Sequence, residues 1–130
     1  MKLIVKSAAN VRAEHRAKRM ADLSAVRWQH QVGGLTLPDG AFIRTDDATR
    51  AALTQAISSF ATGAMTGAVP WKMADGSWQD LSEPDLIAIN TAVAGHVQAC
   101  FAAERAVSTQ IDATSDPAGF DVVAAFAAAI

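Results

Sequence analysis

Cysteine is nearly absent from this sequence. The single one, Cys100, excludes an internal disulfide and cannot by itself make a zinc site, so a reducing cytosol is the expected folding compartment. No uninterrupted apolar run approaches the roughly 20 residues that span a bilayer. The start, MKLIVKSAAN, places only three large apolar residues in a row before Lys6, too few for a secretory core. A soluble protein with no membrane partner is expected. Histidine is equally sparse: His15, His30 and His96 are scattered, with no ligand-type neighbour one helical turn away and no Cys/His cluster around them. Neither a metal nor a cofactor is expected from that pattern. No serine stands in a nucleophile elbow, and Gly33-Gly34 lacks the surroundings of a phosphate loop. Cys100 falls on an apolar helical stripe, where an inert thiol is the default. The carboxylates Asp46, Asp47, Asp75, Asp80, Glu83 and Asp85 sit at turns and helix starts, where capping accounts for them. No catalytic residue emerges, and the chain is not expected to be an enzyme.

What is present is alanine, helix formers and an uneven charge distribution. Hydrophobic residues make up 51% of the 130 and charged residues 18%, which suits one domain with a real core. Much of that apolar share is alanine, so the core must rest on few large side chains and close helix packing. Residues 1–31 carry seven Lys/Arg against Glu14 and Asp22, whereas residues 32–130 carry four against eleven acidic residues. A basic arm on an acidic body allows phosphate binding. The acidic body and the lone nearby aromatic, Trp28, favour self-complementarity or a protein partner over nucleic acid.

Along the chain, helix formers from about Ser7 to about Arg27 set Ala13, Ala17, Met20, Ala21 and Ser24 on a narrow stripe. Arg12, Arg16 and Arg19 lie on another face, and this weakly apolar helix must dock on the body or on another chain. LTLPDGAFIR reads as a hairpin with a three-residue loop, because Pro38 lacks the ladder N–H that a two-residue loop would need. Thr45 or Asp46 caps the next helix, whose buried face is Leu53, Ile57 and Phe60, and ATGAMTGAVP ends it. WKMADGSWQ reads as a second hairpin; a two-residue Asp75-Gly76 loop would put Trp71 and Trp78 on one face, as core or subunit contact. Ser82, Pro84 and Asp85 open a long helix from about Glu83 to about Ala113. Its stripe is Leu86, Ile89, Val93, Val97, Cys100, Val107 and Ile111, interrupted at Glu104. Thr114-Ser115-Asp116-Pro117 stops it, and a short last helix would bury Phe120, Val123, Phe126 and Ala127. The apolar end through Ile130 suggests docking on something. The hairpin-then-capped-helix arrangement occurs twice, at 35–62 and 69–113, with side chains that do not align.

The expected fold is α+β, mainly α: three to four helices, two short β-hairpins, and one long helix in the C-terminal half as core spine. Residues 1–31 form a basic arm and helix, and 32–130 an α+β body, within a single globular domain. The order of features also resembles a short domain of bacteriophage tail-fibre proteins. The resemblance lies in the Arg-rich helix, Gly33, the first hairpin and Thr45-Asp46-Asp47. It continues through Trp71-Lys72, Met73, Asp75-Gly76, Trp78 and Leu81-Ser82, then Phe101-Ala102-Ala103-Glu104, and ends in Ile111-Asp112-Ala113, Ser115-Asp116-Pro117 and Phe120-Asp121, covering roughly residues 11–126. It implies no catalytic residues. It implies a virion component of the tail (fibre, tip or baseplate) made in the host cytoplasm, bound to other tail proteins in an oligomer or larger assembly. A fibre-assembly chaperone is the alternative, and a nucleic-acid-binding phage protein a third. Candidate interface residues are Arg12, Arg16, Arg19, Trp71, Trp78, Phe126 and Ile130.

Overall fold

In a computed structural model, which describes residues 5–130, four helices, a 3-10 turn and two antiparallel hairpins follow one another. The order is α1 (Ala8–Val32), β1 (Leu35–Thr36), β2 (Phe42–Ile43), α2 (Asp47–Ala61), β3 (Ala68–Lys72), β4 (Trp78–Ser82), α3 (Glu83–Ala113), a 3-10 turn (Pro117–Gly119) and α4 (Val122–Ala129). The fold is therefore mainly α with two small two-stranded sheets, and its longest helix, α3, lies in the C-terminal half. The described residues fall into two compact units. One spans the chain through Gln29 together with Ala99–Ile130, and the other spans His30–Gln98. Helices α1 and α3 each contribute to both.

The unit formed by His30–Gln98 is a doubled hairpin-and-helix. In the first hairpin Leu35 pairs with Ile43 and Thr36 with Phe42. Its loop is Pro38-Asp39-Gly40, closed by Leu37 N–H to Ala41 O at 2.8 Å and Gly40 N–H to Leu37 O at 2.9 Å. The second hairpin is closed in the same way, with Met73 N–H to Ser77 O at 2.7 Å and Gly76 N–H to Met73 O at 3.0 Å. Gly40 and Gly76 take φ of 89° and 86°, the left-handed conformation that ends a three-residue hairpin loop. In each loop the aspartate accepts from the amide two residues on, Ala41 or Ser77, at 2.9 Å.

The second loop thus has three residues, Ala74-Asp75-Gly76, where two were expected. The register pairs Val69 with Leu81, Trp71 with Gln79 and Lys72 with Trp78. A shift of one position turns every side chain over. Val69, Trp71 and Met73 pack against the core beside buried Leu81, and Trp78 is left on the outer face. The two indoles do not share a face, which corrects the expectation from the sequence.

Asp46 caps α2, accepting from Thr49 N–H at 3.2 Å. Ser82 and Asp85 cap α3 reciprocally: Asp85 accepts from Ser82 N–H at 3.0 Å, and Asp85 N–H donates to Ser82 Oγ at 3.4 Å. These shared devices bring the two halves into step. Asp39-Gly40, the cap Asp46, and Leu53 and Ile57 recur 36 positions later as Asp75-Gly76, the cap Ser82, and Ile89 and Val93 (39 to 75, 46 to 82). The side-chain correspondence missing from the bare sequence comparison is therefore present once caps and loops set the frame. The core here is Ile43, Leu53, Ala56, Leu81, Leu86, Ile89 and Val93, with Leu37, Ile57, Phe60, Val69, Trp71 and Met73 packed around it.

The other unit has its own core: Leu23 from α1, Ala103, Val107 and Ile111 from α3, and Val122 and Phe126 from α4. Leu23 is 1% exposed. The small-residue stripe was not the docking face, since Ala13, Ala17, Ala21 and Ser24 are all exposed and only Met20 is half-buried. Large apolar area decides the contact, and Leu23 supplies more of it at one position than any single alanine or serine of the stripe. On α3 the stripe is unbroken, because Ala103 (2% exposed) fills the gap between Cys100 and Val107. In α4 the buried pair is Val122 and Phe126, while Val123 (65% exposed) and Ala127 face outward. The phase is set by Asp121, which caps the helix by accepting from Ala124 N–H at 3.0 Å.

Candidate interaction surfaces

Helix α1 carries the basic residues on two different footings. Arg12 is exposed, and among the described residues it makes no ion pair. Arg19 is half-buried: its Nε–H donates to Pro117 O at 3.3 Å and its Nη1–H to Asp22 Oδ2 at 2.7 Å. Arg16 Nε lies 4.0 Å from Asp112 Oδ1, a charge contact too long for a hydrogen bond, and among the described residues this nitrogen has no hydrogen-bond partner. Farther along, Arg27 Nε–H donates to Glu104 Oε2 at 2.5 Å, and the Arg27 guanidinium lies 5.0 Å from the Phe101 ring centre. Of the three arginines expected at an interface, Arg16 and Arg19 are engaged with residues of their own unit, and Arg12 alone remains open.

Phe126 is 1% exposed and is core, so it is removed from the candidate interface; its ring is consumed by packing against α1 and α3 residues. Ile130 is 46% exposed and Trp78 is 66% exposed, so both are accessible. Trp71 is half-buried against the His30–Gln98 core and also lines a groove. Sequence reasoning missed Trp28, Phe42, Phe101 and Val123, which are exposed as well. The signal for Phe101 was its place one residue off the α3 stripe.

The described residues of the His30–Gln98 unit carry open grooves, among them ones of about 620, 630 and 530 Å³. The first lies between α2 and α3 and is lined by Arg50, Thr54, Gln55, Ser58 and Asn90. In the second, Arg44 and Lys72 stand beside Asp46 and Asp75 around Trp71, so its charges balance. The third lies between the two hairpins and α3. Its floor includes Leu37, Ile43, Met73, Leu81 and Ile89, its rim holds Asp39, Asp80 and Asp85, and no cation among the described residues lines it.

The titratable groups do structural work. Asp46 is held below the ordinary carboxylate range by the Thr49 side chain and then its amide, and Asp75 by the Ser77 hydroxyl and then its amide. The Ser82 amide, then its hydroxyl, lowers Asp85, and the Lys18 ammonium lowers Asp22. Burial pushes the Cys100 thiol up, with the nearby Arg27 charge opposing; a thiol held protonated is a poor nucleophile. Among the described residues no group of three or more His, Cys, Asp or Glu could hold a metal. Among the described residues one helix, α3, is long and apolar enough to cross a membrane by length and composition, with a window of mean hydropathy 1.4. Core helices pass the same test, and the stripe of α3 is buried in two cores.

These features define a mainly helical α+β module whose accessible surface offers open grooves and isolated exposed aromatic side chains. The chain belongs to the family described as a domain of unknown function (DUF4376), which it matches over residues 14–128. No curated protein and no solved structure matches it.

Proposed function

We propose that this protein is a structural component of a bacteriophage tail, at the fibre, tip or baseplate, and works through protein–protein contacts without chemistry of its own. The observation that carries this reading is the ordered set of features running from the Arg-rich α1 through Trp71-Lys72, Asp75-Gly76 and Trp78 to Phe120-Asp121, which resembles a tail-fibre domain. Exposed Trp78 and Ile130 and the uncompensated acidic groove support it, because a neighbouring chain would cover them. The same features need neither a cofactor nor a membrane. With Arg16 and Arg19 occupied by Asp112, Asp22 and Pro117, the basic arm has fewer side chains for phosphate, and nucleic acid is the weaker partner.

The test is quantitative peptide mass spectrometry on purified phage particles. A fixed copy number per particle is expected. Absence from particles, with abundance in infected cells and copurification with an immature fibre protein, would overturn the virion role in favour of transient assembly help.

A further inference from the structure

The third groove is unlike the other two in its charge. Asp39, Asp80 and Asp85 stand on its rim, and neither Lys nor Arg lines it, whereas Arg44 and Lys72 balance the second groove and Arg50 lines the first. Asp39 and Asp85 each spend acceptor capacity on a backbone amide, Ala41 or Ser82, and none of the three carboxylates has an ion-pair partner among the described residues. The floor between them is apolar, with Leu37, Met73 and Ala88 reaching it. An occupant that satisfies this surface must bring large apolar side chains flanked by cations.

The chain contains such a segment. Its sequence starts Met-Lys-Leu-Ile-Val-Lys, three adjacent branched apolar residues between two lysines, with Arg12 shortly after. Val5 is 87% exposed, and among the described residues Lys6 pairs only with exposed Glu14, a pairing worth little in water and easily exchanged. The balance of the two units points the same way. The unit containing this segment holds eight Lys/Arg against six Asp/Glu, and the grooved unit holds three against seven.

We infer that the groove between the two hairpins and α3 receives the basic, apolar N-terminal segment of a second copy of this chain. Arm and groove are different surfaces, so the contact is heterologous, and repeating it gives a ring or an open row of subunits. The inference deepens the adhesive reading above, but its test uses purified protein and is independent of whether phage particles contain it.

Sedimentation velocity of the full chain over a range of concentrations reads self-association. A fluorescent peptide of residues 1–14, followed by anisotropy, reads the groove directly. Concentration-dependent association and saturable peptide binding are expected, both weakened about tenfold in high salt because the attraction is screened. Asp39→Asn with Asp80→Asn keeps the turn acceptor of Asp39 and should weaken both readouts about fivefold or more, with an unchanged thermal melt. Arg12→Ala in the full chain should weaken self-association while the chain still binds the wild-type peptide. A chain that stays monomeric and binds no peptide overturns the inference, whether its groove is idle or filled by its own arm. Peptide binding that ignores the aspartate changes overturns it too, because the site would then lie elsewhere.

Discussion

At the residue scale, the most consequential polar group is Thr45. It is fully buried; its hydroxyl donates to Gln31 O at 2.5 Å and accepts from Gly34 N–H at 2.9 Å. The Gln31 carbonyl in the last turn of α1 is thereby satisfied, with His96 Nε2 adding contacts to His30 O at 3.1 Å and Gln31 O at 3.2 Å. Since carbonyls only accept, His96 must present Nε2–H there. Thr45→Val preserves shape but takes the acceptor from the Gly34 N–H and one donor from Gln31 O, so a loss of about 1–3 kcal/mol is expected in urea unfolding. Thr45→Ser should lose much less. The two hairpin tryptophans make a second contrast. Trp78→Ala should change stability by no more than about 0.5 kcal/mol, whereas Trp71→Ala should cost about 2–4 kcal/mol because it opens the core edge. Equal costs in the same unfolding assay would mean that the indoles share a face after all.

At the element scale, α1 tests which face docks. Leu23→Ala should destabilise by about 2–4 kcal/mol through the cavity it leaves beside Val107, Ile111 and Phe126. Ala17→Gln, on the exposed stripe, should stay within about 0.5 kcal/mol. Chemical denaturation of both variants checks this, and the reverse ranking would restore the small-residue face. For α3, Ser82→Ala removes one half of the reciprocal cap and should cost about 1 kcal/mol, read as a lower thermal midpoint and faster amide exchange in the first turn. Caps and stops were legible in the sequence because they are local. Asp46, Ser82 and the break at Gly33-Gly34 each act on residues within one turn, whereas the sequence reading misses the cap Asp121 and starts α4 too early, at Asp116-Pro117. The extent of α1 was less legible: Trp28 to Val32 contain no stop signal, so the helix continues to the glycines.

At the scale of the whole molecule, pH is the informative variable. Asp22, Asp46, Asp75 and Asp85 are all held below their ordinary values by hydrogen bonds and nearby cations. Folding therefore favours their charged forms, and that contribution is fully present above the unfolded-state values, near about pH 4. It is lost as pH falls through the depressed folded values. Thermal midpoints should thus hold steady from about pH 7 to 5 and drop below about pH 4. Asp46→Asn with Asp85→Asn should flatten that drop, and an acid profile identical to the parent would show that the caps are not its cause.

The sequence alone determined the order of elements, the three-residue first loop and the starts of α2 and α3, because Pro38, Asp39-Gly40, Asp46 and Ser82 act on their immediate neighbours. Three readings drawn from it fail: the two-residue second loop, the small-residue docking face of α1 and the phase of α4. Those depend on where large apolar area finds partners distant in sequence. Moving the second hairpin by one position is nearly neutral locally, yet only one register puts Leu81 beside Val69 and Trp71 in the core. The tertiary structure chose that register, and with it which tryptophan faces water, because burial is decided by long-range neighbours and period-two alternation turns a single step into an exchange of faces.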